Sequence, residues 1–224
     1  DTTAFRRYEQ YTDALANDRA VQKRYMMPVE IRVSRKKTVL VEADEGITPS
    51  TAEGLAGLRS AMPDGVGTFG AQTFPADGNA GMIVTTRDRA AELSTDQGIT
   101  IQLLSYGVAR AGKAHMAEAV PPSAENALIN AGIKASDLAA VKTHNPFSIN
   151  DIYMRRLMGI DDNIINNYGS SLIFGHPQGP TGMRCIVELI EELTLKGGGC
   201  GLFAGCAAGD TAAAGAATGT TPTA

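Results

Sequence analysis

LIFGHPQGPTGMR, residues 172–184, sets His176 between a glycine and a proline, directly ahead of a predicted helix. That helix is GMRCIVELIEELTLKGGG (182–199), which ends in a glycine stop, and GCGLFAGCA (199–207) after it is predicted as a strand. Pro177 restricts the backbone beside the histidine, and the neighbouring glycines let the main chain pass close to a ligand or to another loop. A turn built in this way holds a titratable ring at a defined position, so it is a candidate functional loop.

Outward from this loop, strands and helices alternate through most of the chain. Short apolar runs rich in β-branched residues predict buried strands, and amphipathic runs between them predict helices. This order favours a layered α/β domain whose polar loops gather at one edge of the sheet. The predicted elements are GMIVTT (81–86), ITIQLLSYGVA (99–109) and LAAVKTH (138–144) as strands, and DRAAELS (88–94), SAENALINAG (123–132) and NDIYMRRLMG (150–159) as helices.

The two ends of the chain have a different character. Residues 1–43 are charged and polar, with a helix over 4–25 followed by one or two exposed strands, and are predicted to be peripheral. The packed core is expected to begin near the short helix TAEGLAGLRSAM (51–62). The tail TAAAGAATGTTPTA (211–224) contains few large apolar groups, so we expect a weak edge strand followed by disorder.

Composition narrows the class of protein. The chain has 24 acidic and 20 basic residues and a formal charge of −4, so the overall balance favours neither nucleic acid nor an anionic membrane as a partner. No apolar run reaches the roughly 18 residues of a transmembrane helix, and the first residues lack the features of a secretory signal. The cysteines lack C-x-x-C spacing, which argues against a zinc site and for free thiols in a reducing compartment. A soluble, cytoplasmic protein without a bound metal is expected.

Three loops carry the candidate chemistry: THNPFSIND (143–151) with His144, the turn around His176, and AGCAAGD (204–210) with Cys206. Ligands of open α/β sheets bind at the carboxyl edge of the strands, so two imidazoles and a thiol are expected to meet there. An imidazole can take the proton of a thiol and leave a thiolate that acts as nucleophile or base. Simple packing of the cysteine and structural hydrogen bonding of the histidine remain the alternatives.

At these residues the chain resembles the C-terminal half of the thiolases. GHPQGPTGMR and the later KGGGCGLFAGCAAGD are similar to the family's G-H-P-x-G-x-[ST]-G-x-R and G-x-x-x-C-x-G motifs, which a helix separates. Upstream, ADEGITPSTAEGLAGLRSAMPDG and TFPADGNAGMIV resemble the family's D-E-G-x-R-x-x-T-x-E-x-L-x-x-L and S-G-x-N-D-G-A-A segments. HNPF (144–147) stands where most thiolases have N-E-A-F and the sterol-carrier-type branch has H-D-C-F. The resemblance covers nearly the whole chain, from about residue 4 to residue 213.

The resemblance implies a role for each of the three residues. His176 corresponds to the histidine that activates a nucleophilic cysteine and contributes to the hole around the thioester oxygen. Cys206 corresponds to the cysteine that moves a proton to or from the α-carbon of acetyl-CoA, or to the departing CoA thiolate in the degradative direction. His144 opens the motif that helps to hold the enolate oxygen. An α-proton of a thioester is very weakly acidic, so a base is useful only where donors already point at that oxygen.

Further oxyanion or substrate-binding positions follow from the same resemblance. Ala208 replaces the glycine of C-x-G, whose N–H normally meets the acyl oxygen. Asn145 replaces an acidic residue of the family, and Thr73 stands at the serine expected near the CoA pantetheine. The set is completed by Phe147, Gly175 and Met116.

The fold implied is thiolase-like, with this chain as the layered α/β/α C-terminal half and part of the loop domain at its N-terminus. Residues 1–45 then correspond to part of the CoA-binding loop region, 46–213 to the C-terminal domain and 214–224 to a disordered tail. CoA is expected as substrate or product, with no permanently bound cofactor. Acyl-CoA, an N-terminal thiolase half and a homo- or hetero-oligomer are the expected partners. The basic residues that either meet CoA phosphates or form a solvated strand face are Arg32, Arg35, Lys36 and Lys37.

The nucleophilic cysteine of thiolases lies in their N-terminal half, upstream of the region matched here. Cys185 and Cys200 are both expected to pack in the core, so the chain alone is expected to be inactive. The leading interpretation is the C-terminal domain of an acetyl-CoA C-acetyltransferase or 3-oxoacyl-CoA thiolase, acting by Claisen condensation or thiolytic cleavage. One alternative is a non-catalytic thiolase-like subunit that binds CoA or scaffolds a partner. Another is a 3-oxoacyl synthase relative, which would lack the second catalytic cysteine, here Cys206.

Overall fold

A computed structural model describes residues 1–220 and shows a four-stranded mixed sheet between two helical layers. The strand order is β3-β6-β5-β4, where β3 is Thr100–Arg110, β4 is Leu138–His144, β5 is Gly198–Ala207 and β6 is Thr211–Thr220. Strand β6 runs antiparallel to both β3 and β5, while β5 and β4 are parallel. The carboxyl ends of β4 and β5 therefore lie at the same edge of the sheet.

The other elements precede or cover this sheet. A separate antiparallel hairpin consists of β1 (Val29–Ser34) and β2 (Lys37–Val41). The helices are α1 (Thr2–Ala14), α2 (Ala16–Arg19), α3 (Ala52–Ala56), α4 (Arg87–Leu93), α5 (Val120–Ala131), α6 (Ser148–Met158), α7 (Ser171–Phe174) and α8 (Thr181–Leu195). Single 3₁₀ turns occur at Gln22–Arg24, Phe69–Ala71, Met116–Ala119, Ala135–Asp137 and Asp162–Ile164.

Successive strand residues point into two different hydrophobic cores, one on each face of the sheet. Leu202 of β5 packs with Val141 of β4 in the core formed with α5 and α6. The next residue, Phe203, packs on the opposite side with Leu189 of α8. This alternation follows from the two-residue period of a strand and gives the α/β/α layering that the sequence predicts.

Close approach of α5 to β3 depends on one glycine. A Cβ atom at Gly107 would lie 2.3 Å from the carbonyl oxygen of Ser123 and 2.5 Å from the backbone nitrogen of Ala127, both in α5. No side chain fits there, so glycine sets the spacing between helix and strand. The end of α5 is the predicted one, because Gly132 adopts a left-handed conformation with φ of 70° and stops the helix.

The prediction of a disordered tail over 214–224 is wrong for the residues that the structure describes. Strand β6 extends to Thr220 and pairs with β3 on one side and β5 on the other. Alternate alanines of the strand, Ala212, Ala214 and Ala216, are buried. Small side chains here allow a close contact between α5 and β6, whereas in the sequence the shortage of large apolar groups predicts weak anchoring. Residues 221–224 lie outside the described residues.

The predicted strand GMIVTT (81–86) is also wrong. The segment has no strand pairing, and Ile83 and Val84 are 77% and 74% exposed. An apolar run becomes a strand only where a neighbouring edge satisfies its backbone and a core covers its side chains. The part of the chain that the structure describes offers this segment neither.

Helix α1 is packed against the domain, so the peripheral placement of the whole segment 1–43 is corrected. Ala4, Arg7, Tyr11 and Ala14 form a buried stripe along the helix, which contacts α6 and α7. Helix α1 ends at Ala14, and the predicted helix over 4–25 does not continue through the short α2, because Asn17, Asp18 and Arg19 adopt left-handed conformations. The β1–β2 hairpin, in contrast, is largely exposed, with only Val39 and Val41 of β2 half-buried.

One face of the sheet is partly uncovered. Helix α8 contacts β4, β5 and β6, whereas Leu103, Tyr106 and Val108 of β3 are 60%, 72% and 62% exposed. The register pairs Tyr106 with Gly215 and Val108 with Ala213, which places these side chains on the same side of the sheet as α8. We call these three residues the open face. Among residues 1–220, no helix combines the length and apolar character needed to cross a membrane.

Candidate active site

The carboxyl edge of the sheet brings the ends of β4 and β5 together. His144 is the last residue of β4, its Cα atom is paired with that of Gly205, and Cys206 follows directly in β5. A Cβ atom at Gly205 would lie 3.1 Å from the Cβ atom of His144. Glycine at this position therefore leaves room for the imidazole beside the strand end.

The two predicted histidines are stacked on each other. The ring centroids of His144 and His176 are 4.3 Å apart with an interplanar angle of 30°. The Nδ1 atom of His144 is 2.8 Å from Ser171 Oγ, and that of His176 is 2.8 Å from Thr181 Oγ1 at the start of α8. A hydroxyl group thus fixes the orientation of each ring through Nδ1. The Nε2 atom is not needed to orient the ring.

Both imidazoles are neutral at neutral pH. Burial, with a smaller contribution from the neighbouring ring of His176, lowers the pKa of His144 from 6.5 to about 3. Burial also lowers the pKa of His176, which is only partly covered. Where a hydroxyl donates to Nδ1, the neutral ring carries its proton on Nε2 and can donate it to an oxygen of a ligand.

Cys206 lies on the other side of the same edge. Alternation along β5 turns its side chain towards α6, where Asn150 Nδ2 is 3.7 Å from Cys206 Sγ. Burial raises the pKa of the Cys206 thiol, and hydrogen bonds from its own backbone and from Asn150 act in the opposite direction. Among the described residues, no hydrogen bond joins this sulfur to His144 or His176. The thiol and the imidazoles are thus neighbours at one edge without forming a thiol–imidazole pair.

Asn145 occupies a different place from the one predicted for a substrate contact. Its side chain is fully buried, with Nδ2 donating to Asp151 Oδ2 at 2.8 Å and to Ser170 Oγ at 3.0 Å. Its Oδ1 atom accepts from the backbone N–H of Leu172 at 3.1 Å, and the backbone N–H of Asn145 donates to Ser171 Oγ at 3.2 Å. Every polar atom of the side chain is used internally, so Asn145 connects the HNPF turn to α6 and α7.

A buried carboxylate behind this turn was not found from the sequence. Asp151 accepts hydrogen bonds from Thr143 Oγ1 at 2.6 Å and from Asn145 Nδ2, and forms a 2.7 Å ion pair with Arg7 of α1. Thr143 and Asn145 flank His144 in the sequence, so this carboxylate holds the backbone on both sides of the catalytic candidate. The one available signal was that Arg7 falls on the apolar stripe of α1, where a charge needs a buried partner.

Thr73 and Gly175 connect the histidine loops to the segment before α4. The backbone N–H of Thr73 donates to the carbonyl of Pro146 at 2.8 Å, and its hydroxyl donates to the carbonyl of Ser171. A Cβ atom at Gly175 would lie 2.7 Å from the Cβ atom of Ala76, and its φ of 89° favours glycine. Both residues therefore hold loops together. For Gly175 this means that its main chain passes close to another loop.

A cavity of about 290 Å³ opens beside the thiol side of the edge. Asn150, which contacts Cys206, forms part of its wall together with Phe147 and Met116. Phe147 and Met116 were predicted from the resemblance to contact substrate, and the structure brings both to this one cavity. Its rim carries Tyr153, whose hydroxyl donates to Glu118 Oε1 at 3.2 Å.

The remaining predicted residues lie in three settings. Ala208 is exposed in the turn between β5 and β6. Cys185 is buried in α8, where burial raises the pKa of its thiol to about 12, and Cys200 packs against the core from β5. The basic residues of the β1–β2 hairpin are exposed, and Arg32 contacts carbonyl groups of its own turn. No group of three or more metal-ligating side chains occurs within residues 1–220.

This combination defines an α/β protein whose candidate site has the components for cysteine- and histidine-dependent proton transfer. The model of the thiolase C-terminal domain family matches residues 98–218. Peroxisomal 3-ketoacyl-CoA thiolase B of Mus musculus is 34% identical over 164 residues, which are 72% of this chain and 38% of that protein. Acetyl-CoA acetyltransferase of Paracoccus denitrificans is 32% identical over 188 residues, or 82% of this chain and 47% of that protein. The chain belongs to the thiolase family.

Solved structures support the same fold. The acetyl-CoA acetyltransferase of Bacillus anthracis has a TM-score of 0.88 at 26% identity, covering 97% of this chain and 55% of that chain. Human mitochondrial 3-ketoacyl-CoA thiolase in complex with CoA has a TM-score of 0.81 at 23% identity, covering 98% of this chain and 54% of that one. The predicted thiolase-like fold is thus confirmed. This chain spans about half, or less, of the length of the relatives it matches.

Proposed function

We propose that this chain supplies the proton-transfer part of a thiolase-type acyltransferase that acts on acetyl-CoA or 3-oxoacyl-CoA. The observation that carries the proposal is the arrangement at the sheet edge, where two neutral, hydroxyl-supported imidazoles lie beside β5, the strand that carries Cys206 next to its last residue. The family relation supports the same chemistry, since relatives of similar sequence are named as acetyltransferases and 3-ketoacyl-CoA thiolases.

In the condensation direction, the thiolate of Cys206 takes a proton from the α-carbon of a bound acetyl thioester. The S–H bond forms, the C–H bond breaks, and the electron pair moves onto the thioester oxygen as an enolate. The Nε2–H groups of His144 and His176 stabilise that charge, which is worth on the order of 2.7–4 kcal/mol of barrier for each donor. A base and its oxyanion donors serve different atoms of the substrate. The reaction therefore requires no hydrogen bond between the thiol and the imidazoles.

The acyl-carrying nucleophile is proposed to belong to another part of the protein or to a partner chain. Cys185 is unsuited to the role, because its burial raises the pKa of the thiol to about 12 and its helix encloses it. Cys200 lies within β5, six residues before the strand end that carries Cys206. The chain by itself is accordingly expected to be inactive in overall acyl transfer.

The open face is the surface on which a second thiolase half is expected to pack. Leu103, Tyr106 and Val108 form a continuous apolar strand surface next to α8, and the matching relatives are about twice as long as this chain. Covering such a surface by a further α/β half, or by a second copy in an oligomer, would remove it from water.

Three finer assignments belong to the same proposal. CoA is proposed as substrate or product, with the basic β1–β2 hairpin as a candidate phosphate contact. The histidine that opens HNPF supports placement near the sterol-carrier-type branch. A cytoplasmic location stays a prediction, and the names of two relatives specify peroxisomes and mitochondria instead.

The proposal is tested by exchange of the methyl protons of acetyl-CoA in D₂O, followed by NMR. This step needs the base and the oxyanion donors but no acyl-carrying nucleophile, so the chain itself can be used. Cys206→Ala is expected to lower the exchange rate by roughly 10²–10⁴-fold, the usual contribution of a positioned base. Cys200→Ala, in the same strand, is the matched control and should exchange like the wild type.

Equal exchange by the wild type and Cys206→Ala would show that this thiol is not the base. No exchange above buffer by the wild type would instead favour the alternative, a non-catalytic thiolase-like subunit. Isothermal titration calorimetry with CoA would then establish whether that subunit binds CoA.

A further inference from the structure

The side chain of Asn150 is the polar group in contact with the sulfur of Cys206. It lies in the first turn of α6, is 1% exposed, and places Nδ2 at 3.7 Å from Sγ. Its backbone N–H is bonded separately to the carbonyl of Phe147 at 3.1 Å. The start of the helix therefore does not need the side-chain amide, which remains available for the thiol.

The other polar atom of this amide has no partner. Oδ1 of Asn150 is buried and accepts no hydrogen bond in the described residues. A buried carbonyl oxygen without a donor is unfavourable, and an apolar side chain of similar size would avoid this cost. A purely structural role thus does not explain an amide at this position. Its two ends fit instead the two states of a thiol, since N–H donates to a thiolate and C=O accepts from S–H.

We propose that Asn150 is a further catalytic residue, whose side-chain amide hydrogen-bonds the sulfur of Cys206 and stabilises its thiolate for proton transfer. The inference rests on the proposed function only in that the proton is taken from the α-carbon of an acetyl thioester. The contact itself concerns the reactivity of one thiol, which is measurable without any acyl-CoA.

An amide suits this position because it carries no charge of its own. Titratable side chains on the elements around Cys206 include His144 on β4, Asp151 and Tyr153 on α6 and Asp210 after β5, and none of them is among the causes that shift the pKa of the thiol. Burial favours the protonated form, and the neutral donors that lower the cost of the thiolate are the backbone of Cys206 and the side chain of Asn150. A carboxylate in its place would repel the thiolate.

The test is the pH dependence of alkylation by iodoacetamide, in which the Cys206 thiolate forms a C–S bond and iodide leaves. Peptide mass spectrometry reads Cys206, Cys200 and Cys185 separately in the same molecule. Asn150→Leu is expected to move the Cys206 profile upward by about one pH unit, which means tenfold fewer thiolates at a given pH. Asn150→Gln keeps the amide and should restore part of the shift, while the profile of Cys200 should not change.

Superimposable Cys206 profiles for the wild type and Asn150→Leu would overturn the proposal. Rapid alkylation of the buried Cys185 would reveal unfolding of that variant, in which case Asn150→Asp decides. Its carboxylate is expected to raise the midpoint for Cys206, and an unchanged midpoint would equally overturn the proposal. The proton-exchange assay separates the two proposals, because a shifted alkylation profile without any acetyl-CoA exchange supports the Asn150 contact and removes the thiolase function.

Discussion

Arg7→Met is expected to destabilise the protein strongly although the residue lies far from Cys206 along the chain. Arg7 and Asp151 are both 0% exposed, and Arg7 Nε is 2.7 Å from Asp151 Oδ2. The guanidinium also donates to Asp162 Oδ1 at 2.6 Å and to the carbonyl of Ile165 at 3.1 Å. Methionine has a similar length but no charge, so the substitution leaves the Asp151 carboxylate buried without a cation.

The expected loss follows from the asymmetry of buried ion pairs. Removing one partner of such a pair costs about 3–5 kcal/mol, because the remaining charge stays desolvated. Against a total stability of about 5–15 kcal/mol, that is a large fraction. Neutral donors from Thr143 and Asn145 still contact Asp151 and keep the loss in the lower part of this range. The double variant Arg7→Met/Asp151→Asn should lose less than Arg7→Met, since no isolated charge remains.

Urea unfolding at pH 7, followed by circular dichroism, measures these differences. Arg89→Met is the matched control, because the Arg89–Glu92 pair is exposed on α4 and such pairs contribute only about 0–1 kcal/mol. Arg7→Met and Arg89→Met with equal free energies of unfolding would refute the reasoning. A double variant Arg7→Met/Asp151→Asn with a lower free energy of unfolding than Arg7→Met would also refute it.

Two further predictions concern the turn that carries His144. Burial lowers the pKa of His144 to about 3, so below pH 6.5 the unfolded chain binds a proton at this residue that the native state does not bind. The free energy of unfolding should therefore fall as the pH drops below 6.5. The slope approaches about 1.4 kcal/mol per pH unit for this group, and urea unfolding between pH 7 and 5 should show it reduced in His144→Gln. Asn145→Asp should destabilise the protein at pH 7, since it faces Asp151 at 2.8 Å, and recovery in Asn145→Asp/Asp151→Asn would identify charge repulsion. Lack of recovery would contradict that cause.

The sequence predicted the elements whose side chains have a simple period and a clear stop. LAAVKTH coincides with β4, and Gly132 ends α5 as expected. The meeting of the loops that carry His144 and Cys206 follows from strand direction, because the ends of the parallel strands β4 and β5 share an edge. His176 follows helix α7 and not a strand, contrary to the expectation, so its stacking on His144 depends on loop packing that strand direction does not specify.

Other features depend on partners distant in the chain, which no local pattern specifies. β6 is a central strand because it pairs with β3 on one side and β5 on the other. Its alanines let α5 lie close to the sheet, whereas in the sequence alone they indicate weak anchoring. The contact between Asn150 and Cys206 joins residues 56 positions apart, and Arg7 meets Asp151 over 144 positions. A polar residue on an apolar face indicates that some partner exists, but the partner is fixed only by the packing.

The departure of HNPF from the acidic residue that thiolases carry at its second position has a local physical cause. Asn145 lies against Asp151, and a carboxylate at both positions would bring two negative charges within 2.8 Å in a fully buried setting. Two such groups cannot both ionise, so one would take up a proton or the turn would move. An amide donates to Asp151 through Nδ2 and accepts from α7 through Oδ1, which satisfies both neighbours at once. The buried acidic group behind this turn is Asp151, where Arg7 balances its charge, and His144 remains neutral in front of it.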